Sequence, residues 1–331
     1  MRTLTSFNND LDVTQRVQTT EAEPVRLEIN RIFLELHPSS STRIMEQGFS
    51  DVSAMYLGNH PGYLACDTPY HDIQHVLDVT LAMARLIDGY ERSRARGALR
   101  LGERLFQLGV MTALFHDIGY IRERDAKSAQ NGAQYTRVHV SRGAEFLKRY
   151  LPTVGMAELA EVAAGIIHFT GYEIPVGQIP VRVALHRMLG NLLGSADIVA
   201  QMADRCYLEK CRDRLYPEFV EAGIARRPGA IGDEQVIFTS GDDLVMKTPA
   251  FFLGASRRLD DDLAAGYSYA EKHFGGQNLY LDELGKNIKF AEALAREGDA
   301  SALRRVPPDT LSAQAEPQPE IEPKPKKIAV A

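Results

Sequence analysis

Residues 113–120 read ALFHDIGY, an apolar run that closes on an adjacent histidine and aspartate, His116 and Asp117. Two polar side chains at the end of a buried helix would be costly to remove from water unless a partner satisfies them. A metal ion is such a partner, and histidine is the commonest metal ligand because its ring is neutral near physiological pH. We therefore expect this pair to face a metal site from the end of a helix.

Two other short sequences repeat this pattern of polar groups in apolar helical surroundings. Residues 70–75 read YHDIQH, which places His71 and His75 four residues apart and on one face of a helix. Residues 193–199 read LGSADIV, in which Asp197 is a single carboxylate among apolar and small residues. Each residue alone has an ordinary explanation, as a hydrogen-bonded core histidine or a capping aspartate. Together they form a mixed nitrogen and oxygen set that suits divalent metal ions.

The hydrophobic pattern outside these sequences is helical, so we predict an all-α fold. Strands do not alternate with helices, which argues against a parallel α/β sheet. Residues 222–247 are the least regular part and are predicted to be mainly loop, with room for a short strand at 236–239. The periodicity predicts helices at about 25–36, 76–88, 101–118, 139–151, 155–168, 181–214, 248–273 and 280–297.

Both ends of the chain differ from this helical middle. Residues 1–24 are polar without periodicity, which predicts a disordered arm. Residues 301–331 are rich in proline and charge, which predicts a disordered tail. The helical pattern between them, 25–300, predicts one domain.

Composition narrows the classes of function. Hydrophobic residues make up 44% of the chain and charged residues 25%, which is typical of a globular protein. The formal net charge of -6 argues against a nucleic-acid partner, which would favour a basic surface. The three cysteines are odd in number and do not predict a disulfide framework. The chain contains no run of 18 apolar residues, so no membrane span is predicted. We therefore expect a cytoplasmic protein without a membrane partner.

The order His, His-Asp and Asp on successive helices resembles the signature of the HD superfamily of metal-dependent phosphohydrolases. The resemblance covers about residues 65–215. It implies an HD/PDEase-like helical bundle around a metal site, with 25–300 as the HD-type phosphohydrolase domain. It also implies that the metal ligands are His75, His116, Asp117 and Asp197.

Parts of the chain resemble two branches of the superfamily more closely. YHDIQH is similar to the signature of cyclic-nucleotide phosphodiesterases, which implies that His71 lies outside the metal shell and protonates the leaving oxygen. The sequences HVSRGAEFL at 139–147 and IIH at 166–168 resemble the extra histidines of the HD-GYP branch. They imply that His139 and His168 complete a second metal site. The expected cofactors are two divalent ions, such as Mn, Fe, Mg or Zn, with Asp117 bridging them as a catalytic residue.

The chain departs from both branches at positions that bear on the substrate. The Gly-Tyr-Pro triplet of the HD-GYP branch is absent, and FTGYE at 169–173 lies in its neighbourhood. Tyr120 stands where eukaryotic phosphodiesterases have a histidine after the His-Asp pair. Substrate identity is therefore not carried over. The prediction is a phosphodiesterase that hydrolyses a small phosphorylated substrate of nucleotide type with a metal-activated water. A homo-oligomer is left open.

Two alternative functions use the same residues. One is a mixed-valent di-iron HD oxygenase, which needs the same six ligands, and the other is a non-catalytic HD module for regulation or binding. Asp204 is an alternative to Asp197 or a supporting residue. The candidates for phosphate contacts are Lys127, Arg137, Arg142 and Arg205, and the histidines expected to be structural or exposed are His37, His60, His186 and His273.

Overall fold

The structure is a computed structural model that describes residues 9–95, 97–126, 129–228 and 234–310. Its described part is helical, with one short antiparallel hairpin of β1 (Arg226–Pro228) and β2 (Glu234–Val236). The all-α prediction is confirmed. The α-helices are α1 (Ala22–Leu36), α2 (Arg43–Tyr56), α3 (Ile73–Ser93), α4 (Gly102–Leu114), α5 (His139–Tyr150), α6 (Ala160–Ile166), α7 (Ala184–Ala203), α8 (Tyr207–Lys210), α9 (Tyr216–Glu221), α10 (Gly241–Arg257), α11 (Tyr269–His273) and α12 (Leu279–Glu297).

Helix α3 is the centre of the fold. Nearly all of its residues are buried, because α7, α4, α1 and α11 pack around it. A helix that is apolar on most sides is stable only when neighbours cover those sides. Helix α7 is similarly buried, and its packing on α3 brings the segment that carries Asp197 to the segment that carries His75.

The first turn of α3 is fixed by a side-chain cap. Asp72 Oδ1 accepts a hydrogen bond from the backbone N–H of His75 at 3.0 Å, which satisfies one of the free donors at the helix start. The other oxygen, Oδ2, accepts from Arg214 Nη1 at 3.2 Å and from Thr310 Oγ1 at 2.5 Å. The chain near its described end therefore holds the turn that carries His75.

A glycine allows the start of α5 to approach the His-Asp pair. The chain leaves α4 after Leu114 and forms a short 3-10 turn at Ile118–Tyr120. A Cβ at Gly119 would lie 1.9 Å from the carbonyl oxygen of His139, which is far inside van der Waals contact. Glycine at this position is what lets α5 begin beside Asp117.

Several helix boundaries differ from the predicted ones. The predicted helix 101–118 ends at Leu114, and the predicted helix 181–214 ends at Ala203 because Asp204 turns to extended backbone. Helix α10 begins at Gly241, inside the predicted loop, because Ser240 Oγ accepts from the N–H of Asp243. Helix α2 was not predicted. The predicted helix 155–168 is α-helical only over α6.

The ends of the described chain pack on the helical body. Asp12 Oδ2 accepts from the buried Arg85 of α3 at 2.5 Å, and Asn9 Nδ2 donates to the carbonyl oxygen of Val306 at 3.1 Å. The predicted disorder of 1–24 and 301–331 in solution stays a prediction, and residues 1–8 and 311–331 lie outside the described residues. None of the described helices combines the length and the apolar character that crossing a bilayer requires.

Candidate metal centre

Four predicted ligands converge from three helical segments. His75 Nε2 lies 3.3 Å from His116 Nε2, 3.3 Å from Asp117 Oδ2 and 3.5 Å from Asp197 Oδ1. His116 Nε2 lies 3.2 Å from Asp117 Oδ2 and 3.8 Å from Asp197 Oδ1. Atoms that bind one ion at about 2.0–2.2 Å lie roughly 2.8–3.6 Å apart, so these separations are close to those of one metal shell.

The ring of His116 is held in the tautomer that a metal ligand needs. Its Nδ1 lies 2.8 Å from the carbonyl oxygen of Ala113, which can only accept a hydrogen bond. Nδ1 therefore carries the proton, and in the neutral ring the lone pair is on Nε2, the atom that faces the other ligands. A backbone partner of this kind is typical of metal-binding histidines.

The charges of this group also fit a cation. Asp117 Oδ2 is buried and has no hydrogen-bond partner within the described ranges. Burial alone would raise the pKa of Asp117, but the charge of His116 and contacts with both histidines hold that pKa well below its usual range. Burial also opposes a charge on His75, yet Asp117 and Asp197 outweigh it and raise the pKa of His75 to about 10. The carboxylates thus require positive charge between them, and His75, His116 and Asp117 form a group that could hold a metal ion.

His139 lies on the other side of Asp117. Its Nδ1 donates to the carbonyl oxygen of Thr136 at 2.8 Å, so the lone pair of the neutral ring is on Nε2. That atom lies 3.6 Å from Asp117 Oδ1. Burial lowers the pKa of His139, although Asp117 acts in the opposite direction. Two electron-rich atoms therefore face each other across a gap that suits a second cation.

His168 is not brought to this group. It lies in the 3-10 turn Ile167–Phe169, and in the part of the chain that the structure describes no hydrogen bond, ion pair or ring contact joins it to the other predicted ligands. Its pKa is lowered by burial, with Glu173 opposing the shift. The assignment of His168 as a ligand stays a prediction that the geometry does not support.

His71 lies beside the metal-ligand group and has a carboxylate partner. Its Nδ1 is 2.6 Å from Glu218 Oε2, and Glu218 Oε1 accepts from the N–H of Tyr70 at 2.6 Å. Burial opposes a charge on His71, but Glu218 outweighs it and Asp117 adds to the effect, so the pKa of His71 is raised. Its ring centroid is 5.8 Å from that of His75, close enough for a substrate to contact both regions.

Tyr120 lies between His71 and His139, two histidines that line the site but are not among the four converging predicted ligands. Its ring stacks on His71 with a centroid distance of 4.4 Å and on His139 with the same distance of 4.4 Å. Burial raises the pKa of Tyr120 well above its usual value, so the phenol stays neutral. Tyr120 therefore acts as a spacer that fixes both imidazole rings.

These residues form one end of a cavity of about 900 Å³. That volume is within the range of small-molecule sites. Much of the remaining lining comes from the chain after α7, including Ile224 and Phe238 on either side of the hairpin and residues of α10. The cavity is lined by Tyr70, His71, His75, Asp117, Tyr120, Thr136, Arg137, His139, Thr170, Gly171, Tyr172, Glu173, Asp197, Ile198, Gln201, Tyr207, Cys211, Leu215, Phe219, Ile224, Phe238, Leu244, Lys247, Thr248, Ala250 and Phe251.

Most of the secondary candidates have structural partners elsewhere. Asp204 accepts from the buried Lys210 at 2.6 Å and is not part of the metal-ligand group. Arg142 Nε donates to the carbonyl oxygen of Gly119 at 2.8 Å, and Arg205 lies in a different, small cavity. Arg137 does line the main cavity, whereas Lys127 lies outside the described residues.

The histidines expected to be structural or exposed have no place in the site. His37 packs on Phe33, and His60 Nδ1 accepts from the N–H of Gly62. His273 Nδ1 lies 2.7 Å from Asp88 Oδ2, and His186 does not line the main cavity. The three cysteines are buried and unpaired, as their spacing predicts.

Sequence reasoning missed Glu218 and Gln201. Glu218 is one of two acids in α9, and nothing near it in the sequence marks a histidine partner 147 positions away. Gln201 Nε2 donates to the backbone oxygen of Asp197 at 3.2 Å, and its Oε1 accepts from the Tyr70 hydroxyl at 3.0 Å. Its position one helical turn after Asp197 was the available signal.

Comparison with known proteins adds little to this geometry. No protein-family model matches the chain, and no curated protein matches it. It is similar to the crystal structure of the phosphodiesterase domain of the RhoPDE fusion protein from the choanoflagellate Salpingoeca rosetta, with 13% sequence identity and a TM-score of 0.49. The match covers 88% of this chain and 96% of the other. A likeness at this level carries no functional inference, so function is inferred from the site.

Proposed function

We propose that this chain is a metal-dependent phosphohydrolase that cleaves a phosphodiester. The observation that supports this most is that His75 Nε2 and His116 Nε2 each lie 3.2–3.8 Å from Asp117 Oδ2 and from Asp197 Oδ1. A mixed nitrogen and oxygen set of this kind suits divalent ions that activate water and polarise phosphate.

The residues divide between two ion positions. His75, His116, Asp117 and Asp197 would hold one divalent ion, and Asp117 with His139 would hold a second. Ions bound there would supply Lewis-acid chemistry, which polarises the phosphate and makes water a better nucleophile. Their identity among Mn, Fe, Mg and Zn stays a prediction.

His71 is the proposed proton donor. With Nδ1 held by Glu218, the protonated ring has its second proton on Nε2, which it would transfer to the leaving oxygen as the phosphorus–oxygen bond breaks. The carboxylate of Glu218 stabilises the charged ring before transfer and fixes its orientation. Glu218 is therefore a positioning residue, since it acts through His71.

A metal-dependence assay under two atmospheres tests the proposal. Purified protein is chelated, reloaded with each predicted metal and supplied with 4-nitrophenyl phosphodiesters and cyclic nucleotides, with and without oxygen. We expect cleavage that depends on metal and proceeds without oxygen. Turnover that requires oxygen uptake would favour the di-iron oxygenase, and metal binding without any turnover would favour the non-catalytic module. The predicted nucleotide substrate remains a proposal that the same screen tests.

A further inference from the structure

We propose that the phosphodiester carries an apolar alkyl or aryl ester group, which the apolar part of the cavity lining binds without distinguishing nucleobases. This substrate class rests on the proposed phosphodiesterase function. It follows from three properties of the lining. Part of it is apolar, its amide and threonine hydroxyls already have intramolecular partners, and it has few cationic side chains.

Part of the cavity lining is apolar. Phe219 and Phe238 stack there with a centroid distance of 5.8 Å and an interplanar angle of 27°. These two rings present a broad apolar surface to a bound group. The wall, called the apolar wall below, consists of Leu215, Phe219, Ile224, Phe238, Leu244 and Phe251.

The amide and the threonine hydroxyls of the lining, which could contact a nucleobase, already have intramolecular partners. Among the described lining residues Gln201 carries the only amide, and both of its ends are bonded to Tyr70 and Asp197. The hydroxyls of Thr136, Thr170 and Thr248 donate to the backbone oxygens of Ala133, Ile167 and Leu244 at 2.6, 2.8 and 3.0 Å. Strong discrimination between polar groups needs unpaired site groups that only the right ligand satisfies. The lining therefore selects by apolar contact.

The charge of the lining favours a single phosphate. Apart from the histidines, Arg137 and Lys247 are the cationic side chains among the described lining residues, against Asp117, Glu173 and Asp197. Lys247 Nζ is already bonded to Asp243 Oδ2 at 2.9 Å and to the carbonyl oxygen of Ile237 at 2.7 Å. A second phosphate beside the apolar residues would lose its hydration without gaining Lys247 as a free cation.

Helix α10 offers a matched pair of residues for a test. Phe251 lines the cavity and is 45% exposed, whereas Leu253 is 66% exposed and does not line it. Both side chains are large, apolar and on the surface of one helix. Replacing either by serine removes little core packing, so a difference between the two variants reports on the cavity.

The experiment uses monoalkyl phosphates as competitors of methyl 4-nitrophenyl phosphate hydrolysis by the metal-loaded protein. They share one phosphate, so differences in inhibition constant arise from the organic group. From methyl to butyl to hexyl phosphate we expect the constant to fall by about twofold to fourfold per methylene, in proportion to the apolar surface that is buried. Phenyl phosphate should also bind more tightly than methyl phosphate.

Two further comparisons test base reading and charge. The inhibition constants of the monophosphates of adenosine, guanosine, cytidine and uridine should agree within about threefold, since the amide and threonine hydroxyls of the described lining already have intramolecular partners. Hexane-1,6-bisphosphate should bind more weakly than hexyl phosphate. Phe251→Ser should reduce the difference between hexyl and methyl phosphate, whereas Leu253→Ser should leave it unchanged.

The outcomes separate the two proposals. Inhibition constants that do not depend on alkyl chain length, or a preference of more than about tenfold for one nucleobase, would overturn the substrate class, while hydrolysis of methyl 4-nitrophenyl phosphate would leave the phosphodiesterase function standing. Failure to hydrolyse any phosphodiester with any metal would overturn the function. In that case calorimetric binding of the same alkyl phosphates to the metal-loaded protein still decides whether the apolar wall binds the ester group.

Discussion

The two ends of the main cavity are built in different ways. At the metal end, Asp72 caps the turn of His75, a backbone oxygen fixes His116, and Gln201 contacts Asp197. The apolar wall comes from a π-helical turn at Cys211–Leu215, the hairpin segment and α10, and it includes the half-exposed Phe251. The difference suggests that reaction type is set by a few atoms in the rigid core, and substrate choice by a wall nearer the surface.

The largest expected effect is the loss of a ligand at the metal end. His75→Ala should abolish metal binding and reduce hydrolysis to background for every leaving group, because three other ligand atoms lie within 3.5 Å of His75 Nε2. Metal content and turnover are measured on the same sample. His60→Ala is the control, since that histidine does not line the main cavity and its Nδ1 accepts from the N–H of Gly62. Full metal content in His75→Ala would contradict the assigned site.

His71→Ala should have the next largest effect and should leave metal in place. Removing a proton donor should lower turnover by roughly 10²–10⁴-fold for a poor leaving group. The loss should shrink for 4-nitrophenolate, which departs without protonation. Rates for an alkyl and a nitrophenyl leaving group, with metal content alongside, check this. Equal losses on both substrates, or loss of metal, would show that His71 is not the acid.

His139→Ala should reduce the metal content from two ions to one and lower turnover by about 10²-fold, the typical cost of losing one electrostatic contribution in a site. His168→Ala is the matched comparison, since His168 is not among the described residues that line the cavity. Elemental analysis of both variants is the measurement. A loss of one ion in His168→Ala as well would restore the six-ligand site that the sequence predicts.

Glu218→Gln should act through the pKa of His71. The charge of Glu218 raises that pKa, so the protonated donor persists to higher pH in the unmodified protein. Without this charge the pKa of His71 falls, and the alkaline limb of the rate profile for an alkyl leaving group should move to lower pH. The drop in rate should be about 10-fold to 100-fold, as for other supporting residues. A lower turnover rate in Glu218→Gln with no change in the pH profile would indicate a purely structural role.

Metal binding should become tighter as pH rises. In the metal-free protein Asp117 and Asp197 raise the pKa of His75 to about 10, so a proton occupies the ligand at pH 7 and must leave when metal binds. Affinity should therefore increase between pH 6 and pH 8. Calorimetry in two buffers with different ionisation enthalpies counts the released protons. A pH-independent affinity would contradict the proton competition.

The metal end was predictable because its residues are unusual where they stand. His116, Asp117 and Asp197 are polar groups in apolar helical sequence. His71 does lie near His75, with ring centroids 5.8 Å apart, but it precedes the N-cap Asp72 and so does not share a face of α3 as predicted. His168 shows the limit of this reasoning, since its place in the sequence pattern does not determine which way its ring faces. Helix ends were the weakest part, because turns such as the one after Leu114 depend on tertiary contacts at Gly119.

The apolar wall was not predictable for a different reason. Its residues, such as Phe219 and Phe238, are ordinary core types, and only the fold brings them to the cavity. The loop predicted at 222–247 supplies Ile224 and Phe238, and the start of α10 supplies Leu244. Glu218 was hidden in the same way, because its contact with His71 spans 147 positions of sequence.

Titration of the chelated protein with metal tests the central claim most directly. Mn²⁺, Mg²⁺, Zn²⁺ and Fe²⁺ are added in turn, and bound metal and hydrolysis of methyl 4-nitrophenyl phosphate are followed in the same samples. We predict that chelated protein is inactive, and that with at least one of these ions hydrolysis rises in proportion to occupancy and stays absent in Asp197→Asn. Hydrolysis by the fully chelated protein, or an active Asp197→Asn without bound metal, would contradict a metal centre built from His75, His116, Asp117 and Asp197.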